Sequence, residues 1–214
     1  GKVAAEQLAP GEAEVLVFDS DSSAELPKNG SRADFGRIAT ADVVIVAVPF
    51  DAYSSVVPEL ASRSRSDNLI VDVCSVKMRP TEVFDEYGLL SRENVLMAHP
   101  LFGPQTTKTG IVGKNIVVTQ HQGDKASELL EFWHSAGIGQ IYMSAEDHDK
   151  EMAKVHALPF IIGRTLLSMG ITESPVGTNY YSKLLALVDV ERQHSPELFD
   201  TIQRHNPYAS RIRT

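Results

Sequence analysis

Three short segments hold side chains suited to chemistry. His99 follows the apolar residues 95–98 and precedes Pro100-Leu101-Phe102-Gly103-Pro104. An imidazole titrates near ~6.5, so at neutral pH it is mostly a free base that takes a proton. Two prolines and a glycine stiffen the loop behind it, and general base catalysis needs such a fixed base. A lone histidine at a strand end also serves as a structural group. The second segment is Asp72-Val73-Cys74-Ser75-Val76-Lys77. Ser75 offers a hydroxyl or a helix cap, and Lys77 a catalytic-site cation or a solvated charge. Ser75 lacks the G-x-S-x-G surround of a nucleophile elbow, which argues against a serine hydrolase. The third segment, Ala47-Val48-Pro49, leads towards a helix at Asp51. Proline there lets backbone approach a cofactor without offering a donor, and it equally suits a plain strand-to-helix turn.

The elements that must hold these groups are legible as apolar runs at 43–48, 69–73, 95–98, 116–118 and 141–143. Short apolar runs bounded by turn residues fit strands buried on both faces. Helical patterns at 51–64, 80–87 and 124–136 lie between them. Alternation of this kind predicts a Rossmann-like, doubly wound, mostly parallel α/β sheet, with ligands at the carboxyl ends of its strands. The chain opens on Gly1, a helix-forming stretch 2–9, Pro10-Gly11, and an apolar run 15–18 that ends on Asp19. That order fits the second half of a dinucleotide-binding unit. Gly1 is then the last glycine of a G-x-G-x-x-G turn, and Asp19 the acid ~20 residues on that binds ribose hydroxyls. Gly1 is equally a cloning remnant. On the first view the central strand and most of the glycine-rich turn are missing, and an open edge is expected near 15–18.

Beyond residue 143 the pattern turns helical. Residues 146–169 read as one helix with Met152, Val155, Pro159, Ile162, Leu166 and Met169 on one stripe. Pro159 should kink it, and Gly170 should end it. Segments 177–193 and 196–206 read as further helices. The expected domains are therefore a dinucleotide-binding domain, 1–143, and a helical domain, 144–214. Asn68, Asp147 and Asp149 read as caps or surface groups. His148 and His156 are about two turns apart, and no histidine pair has metal-ligand spacing.

Composition narrows the classes. Hydrophobic residues are 43% and charged residues 22%, an ordinary globular mix. A net charge of −8 disfavours a phosphate backbone as partner. No apolar run approaches the ~20 residues that span a bilayer, and no leader pattern is read. One cysteine, Cys74, excludes an internal disulfide framework and points to a reducing cytoplasm.

In Asp42–Pro49 (DVVIVAVP), Asp72–Lys77 (DVCSVK), His99–Pro104 (HPLFGP) and Glu146–Met152 (EDHDKEM) the sequence resembles the prephenate and arogenate dehydrogenases of tyrosine synthesis. The resemblance implies an NAD(P)-binding domain followed by a helical substrate and dimerisation domain. It implies that His99 accepts the proton of the substrate ring hydroxyl and that Ser75 hydrogen-bonds that hydroxyl and His99. It places Gly1, Asp19, Val48, Pro49 and Ser75 on the cofactor, with NAD preferred and NADP possible. It places Ser75, Lys77, His99 and Gly103 near prephenate or arogenate. Many members have a second histidine about where Phe160 stands and a basic residue near Val190. His156, Arg164, Lys183 and Arg192 are the basic groups here that could replace them. Two other readings share the two-part plan. One is a β-hydroxyacid-type dehydrogenase or reductase with Lys150, Lys154 or Lys183 as catalytic lysine. The other is a non-catalytic cofactor-binding relative.

Overall fold

The computed structural model describes residues 6, 13–103, 106–108 and 110–213. Gly1 and most of the helical stretch 2–9 lie outside them. The chain divides into two compact units, Gly1–Ala145 and Glu146–Thr214.

In the first unit β1 (Val15–Val17) pairs in parallel with β2 (Gly30–Arg32). A short helix, α1 (Phe35–Ala39), comes next, and the Asp34 carboxylate caps it by accepting from the Arg37 N–H at 2.8 Å. A second sheet has the order β3 (Val43–Val46), β4 (Leu69–Asp72), β5 (Val95–Pro100), β6 (Asn115–Gln122), β7 (Gly139–Tyr142). Helices α2 (Tyr53–Arg63), α3 (Met78–Glu86) and α4 (Asp124–Ser135) connect β3 to β4, β4 to β5 and β6 to β7. All neighbours are parallel except β5 and β6, which run antiparallel. Among the described residues β1 and β3 share no ladder, so the expected single sheet is two. Phe18 and Val43 are nearly half exposed beside that break.

Strand alternation splits the core over two faces. Leu69, Val71, Leu96 and Ala98 point to one face, where Leu129, Leu130 and Trp133 of α4 cover them. Ile70, Val95 and Met97 point to the other, under Tyr53, Val57 and Leu60 of α2 and Phe84 of α3. Each Val, Leu, Ile, Phe or Met among them contributes about 1.5–3 kcal/mol on full burial. Gly123 opens α4 with φ +86, and a Cβ there would lie 2.1 Å from the Glu93 carbonyl oxygen. Only glycine fits that turn. Asn68 is no surface cap: it is fully buried and donates to the Ala39 carbonyl at 3.0 Å.

The second unit is helical: α5 (Ala145–Met152), a π turn (Ala153–Ala157), α6 (Leu158–Ser168), α7 (Asn179–Glu191), α8 (Pro196–Arg204) and α9 (Ala209–Arg213). The expected unbroken helix over 146–169 is interrupted by the π turn, just ahead of Pro159. Proline has no N–H for the carbonyl four residues back and crowds it. The wider turn accommodates this, with the Leu158 N–H reaching back five residues to the Ala153 carbonyl. Gly170, at φ +66, lies just past the end of α6 as expected. Thr178 and Ser195 cap α7 and α8 through their hydroxyls. Gly163 lets α6 approach α7: a Cβ there would lie 3.0 Å from the Leu187 carbonyl oxygen and 3.2 Å from the Glu191 Cβ. Asp149 is fully buried, not a surface group, and meets the buried His148 ring at 2.8 Å.

Candidate active site

Parallel strands β3, β4 and β5 lie side by side, so their carboxyl ends form one edge. Neighbouring strands are ~4.8 Å apart, which brings the three chemical segments of the sequence together there. Val48 and Pro49 leave β3, Ser75 lies three residues past the end of β4, and His99 is the next-to-last residue of β5. In open α/β sheets that edge is where ligands bind.

His99 is 5% exposed. It shares the sheet face of Val95 and Met97, and Met97 is registered against Asp72 of β4. Near its end β5 meets an irregularity: Met97 opposes Gln120 and Ala98 opposes Val118, so Thr119 is an extra residue of β6. The Thr119 hydroxyl donates to the Met97 carbonyl at 3.3 Å. Such bulges bend a strand end and re-aim the side chains next to them. The loop beyond is tied at Gly103, whose carbonyl accepts from the N–H groups of Thr106 (3.0 Å) and Thr107 (3.1 Å). Among the described residues nothing lies within 4 Å of a Cβ added to Gly103, so they leave open space there.

Ser75 is half-buried in a bend. It does not cap α3, whose N-cap position is Lys77 and lacks a side-chain cap bond. Among the described residues its hydroxyl has no hydrogen-bond partner, which leaves it available to a ligand. Lys77 is fully buried. Its ammonium pairs with the Asp72 carboxylate and donates to the Ala98 carbonyl at 2.5 Å. The expected substrate contact for Lys77 therefore fails on access, since the charge lies inside the core. Asp72, also fully buried, accepts from the Tyr53 hydroxyl and from the Cys74 N–H at 3.2 Å. Burial, then the Asp72 charge, pushes the Tyr53 phenol well above its usual value and the Cys74 thiol up to about 12. Neither ionises near neutrality, so neither is a nucleophile. The sequence reading passed over Asp72 and Tyr53. The available signal was an acid closing a wholly apolar run five residues before a lysine.

Asp19 is exposed just beyond β1 and accepts from the Asp21 N–H at 2.9 Å. The nearby Arg32 guanidinium is engaged with the Ala24 carbonyl at 2.6 Å. Val48 is half-buried and Pro49 exposed. Among the described residues no group of three or more His, Cys, Asp or Glu side chains is placed to hold a metal ion.

The candidate basic groups of the second unit are largely committed. His156 packs edge-to-face on Phe160, with centroids 4.6 Å apart. Desolvation, then the neighbouring His194 and His148, lowers its pKa to about 4. It is neutral at pH 7 and brings no cation to a carboxylate. Arg164 lies 2.7 Å from Glu191, which is 2% exposed, and stacks over Phe199 at 4.6 Å. Arg192 pairs with Asp189 at 3.1 Å. Lys183 lies over the Tyr180 ring at 5.8 Å. Lys150 and Lys154 form exposed pairs with Glu146 and Glu151, each at 2.8 Å. Phe160 itself stacks on His194, with centroids 4.3 Å apart.

A family profile described as prephenate dehydrogenase, nucleotide-binding domain, matches residues 20–137. Arogenate dehydrogenase 2, chloroplastic, of Arabidopsis thaliana is 33% identical over 176 residues, which cover 78% of this chain and 49% of the plant protein. A probable arogenate/prephenate dehydrogenase of Methanocaldococcus jannaschii is 29% identical over 182 residues, covering 80% of this chain and 40% of its own. The chain thus spans about half the length, or less, of these relatives. The solved prephenate dehydrogenase from A. aeolicus, in complex with hydroxyphenyl propionate and NAD+, matches the fold with a TM-score of 0.64 at 18% identity. That match covers 87% of this chain and 69% of the other. Among the described residues no helix is long and apolar enough to cross a membrane.

Proposed function

The chain belongs to the prephenate dehydrogenase family, and from that premise we propose that it carries out NAD-dependent oxidative decarboxylation of prephenate or arogenate. The observation that carries the proposal is the shared edge at the ends of β3, β4 and β5. It holds a nearly enclosed imidazole, His99, and, among the described residues, a hydroxyl without a hydrogen-bond partner, Ser75, and open space beside Gly103.

The residues present fit a dinucleotide. Asp19 offers an exposed carboxylate at the end of β1 for ribose hydroxyls, and Val48 and Pro49 offer a backbone wall that lacks a donor at the proline. When bound, NAD supplies the hydride acceptor. A carboxylate at Asp19 repels a ribose phosphate, which favours NAD over NADP. His99 takes the proton of the substrate ring hydroxyl, and Ser75 holds that hydroxyl by a hydrogen bond. Enclosure of His99 keeps water from competing for the proton. Once the carbinol, having lost its hydride and proton, is a ketone, the ring carboxylate leaves as carbon dioxide; its bonding pair passes through the ring to the ketone oxygen, which takes a proton to give the aromatic phenol.

The partner proposed for the second unit is another copy of the chain. Val155, Leu158, Ile162 and Met169 follow one another at spacings of three, four and seven and are 36–68% exposed. An exposed apolar stripe of this length on a small helical unit supports that reading. Cys74, the lone cysteine, is buried, and a reducing compartment, the cytoplasm, is the proposed location.

The test is to mix the chain with prephenate, then with arogenate, in the presence of NAD or NADP, and follow the absorbance of reduced nicotinamide. Turnover with NAD that is lost in His99→Asn supports the proposal. No turnover with either substrate, under conditions where NAD binds, overturns it.

A further inference from the structure

Resting on the part assigned above to His99, we propose that Lys77 is a positioning residue for that imidazole, backed by Asp72 and Tyr53. The ladder between β4 and β5 ends with Asp72 opposite Met97, one residue short of Ala98. On the other side of β5 the register with β6 slips between Met97 and Ala98. The peptide that joins Ala98 to His99 therefore lies past the end of the β4 ladder, while β6 still pairs with both residues across a one-residue slip. The Lys77 ammonium supplies a donor at that point, 2.5 Å from the Ala98 carbonyl oxygen. The carbonyl belongs to the peptide that joins Ala98 to His99, so holding it sets the direction in which the imidazole leaves the strand.

The groups behind Lys77 fix it in turn. Asp72 Oδ2 pairs with the ammonium, and Asp72 Oδ1 accepts from the Tyr53 hydroxyl and the Cys74 N–H. Tyr53 starts α2, just after Val48 and Pro49. Cys74 precedes Ser75. One buried carboxylate thus links the segments that leave β3 and β4, and its lysine reaches the end of β5. A buried ion pair is a weak source of stability, because apolar residues of similar size serve as well. A device that holds three strand ends in one geometry needs directional bonds, which apolar residues lack. Catalytic groups must be held to about 0.5 Å, and charged, enclosed bonds of this kind do that.

Lys77→Met is the test, in the 214-residue chain. Three quantities are read: the NAD dissociation constant, kcat and KM for the active substrate, and the side-chain NMR signal of His99, assigned by its loss in His99→Asn. Expected are a kcat lower by about 10–100-fold, a KM and an NAD affinity within about threefold, and a displaced His99 signal. Leu130→Ala, in the core on the other sheet face, controls for lost stability and should leave the signal in place. If Lys77→Met does not fold, Asp72→Asn with Lys77→Met leaves no lone buried charge and is read the same way. An unmoved His99 signal with unchanged kcat overturns the proposal. So does an equal displacement in Leu130→Ala. If the wild-type chain turns over neither substrate, the proposed activity falls, and the His99 signal alone still decides the role of Lys77.

Discussion

Acid should loosen the helical unit through His156. The ring is half-buried against Phe160 and flanked by His194 and His148. Its pKa falls from 6.5 to about 4 on folding. The folded state then binds fewer protons than the unfolded state between those values. The contribution is complete above pH 6.5 and is lost as pH falls towards 4. Across the whole interval 1.36 kcal/mol per pH unit gives about 3 kcal/mol, and at pH 5 the loss is about 2 kcal/mol. Solvent still reaches one side of the ring and screens part of this, so about 1–2 kcal/mol is expected at pH 5. His156→Gln removes the titrating group at some packing cost that does not depend on pH. Urea unfolding of both proteins, followed by circular dichroism at pH 7.5, 6 and 5, separates the two effects. Wild type should lose about 1–2 kcal/mol relative to the variant between pH 7.5 and pH 5. A difference that stays constant over that range refutes the reasoning, as does a folded-state His156 titration near 6.5 by NMR.

Gly163→Ala sets a helix-propensity gain of about 1 kcal/mol against a Cβ placed 3.0 Å from the Leu187 carbonyl oxygen. Backbone yields poorly, so overpacking of about 1–3 kcal/mol should win, and the urea midpoint should fall. His99→Asn should lower kcat by ~10²–10⁴ with a smaller change in substrate affinity, read by steady-state kinetics. Ile162→Asp places a charge in the exposed apolar stripe and should shift a dimer to monomer in light scattering at micromolar concentration. A wild-type monomer there would dispose of the proposed dimer.

Apolar strands were readable at their places in the chain because a buried parallel strand writes itself as a run of Val, Ile and Leu. β2 was not, since Gly30-Ser31-Arg32 pairs through backbone alone and carries no apolar pattern. Neither was the length of β6, whose polar half, Thr119–Gln122, is held by pairing with β5. The antiparallel turn of β6 also lies beyond hydropathy, which records burial and not direction. His99 and Ser75 were legible as site candidates because strand ends carry ligands. Lys77 was misread because a lysine is rarely fully enclosed, and only its distance to Asp72 and the Ala98 carbonyl shows what encloses it. His156 and Arg164 looked available for an anion. Sequence names a charge, but burial and an opposing Glu191 decide whether that charge is present and unspent.

The break between β1 and β3 has a bearing on handling the protein. Among the described residues Val43-Val44-Ile45-Val46 is paired on one side only. An uncharged, β-branched strand with an open row of N–H and C=O groups is a template for adding a strand from another molecule, the first step of ordered aggregation. Two neighbours act as gatekeepers: Asp42, whose side chain is 83% exposed, and Pro49, which cannot extend a ladder. Asp42 is paired with Arg65 at 3.3 Å, so repulsion between copies rests on the net charge of −8, and salt screens repulsion. Concentrated stocks should therefore keep best at low ionic strength and above the range where carboxylates take up protons.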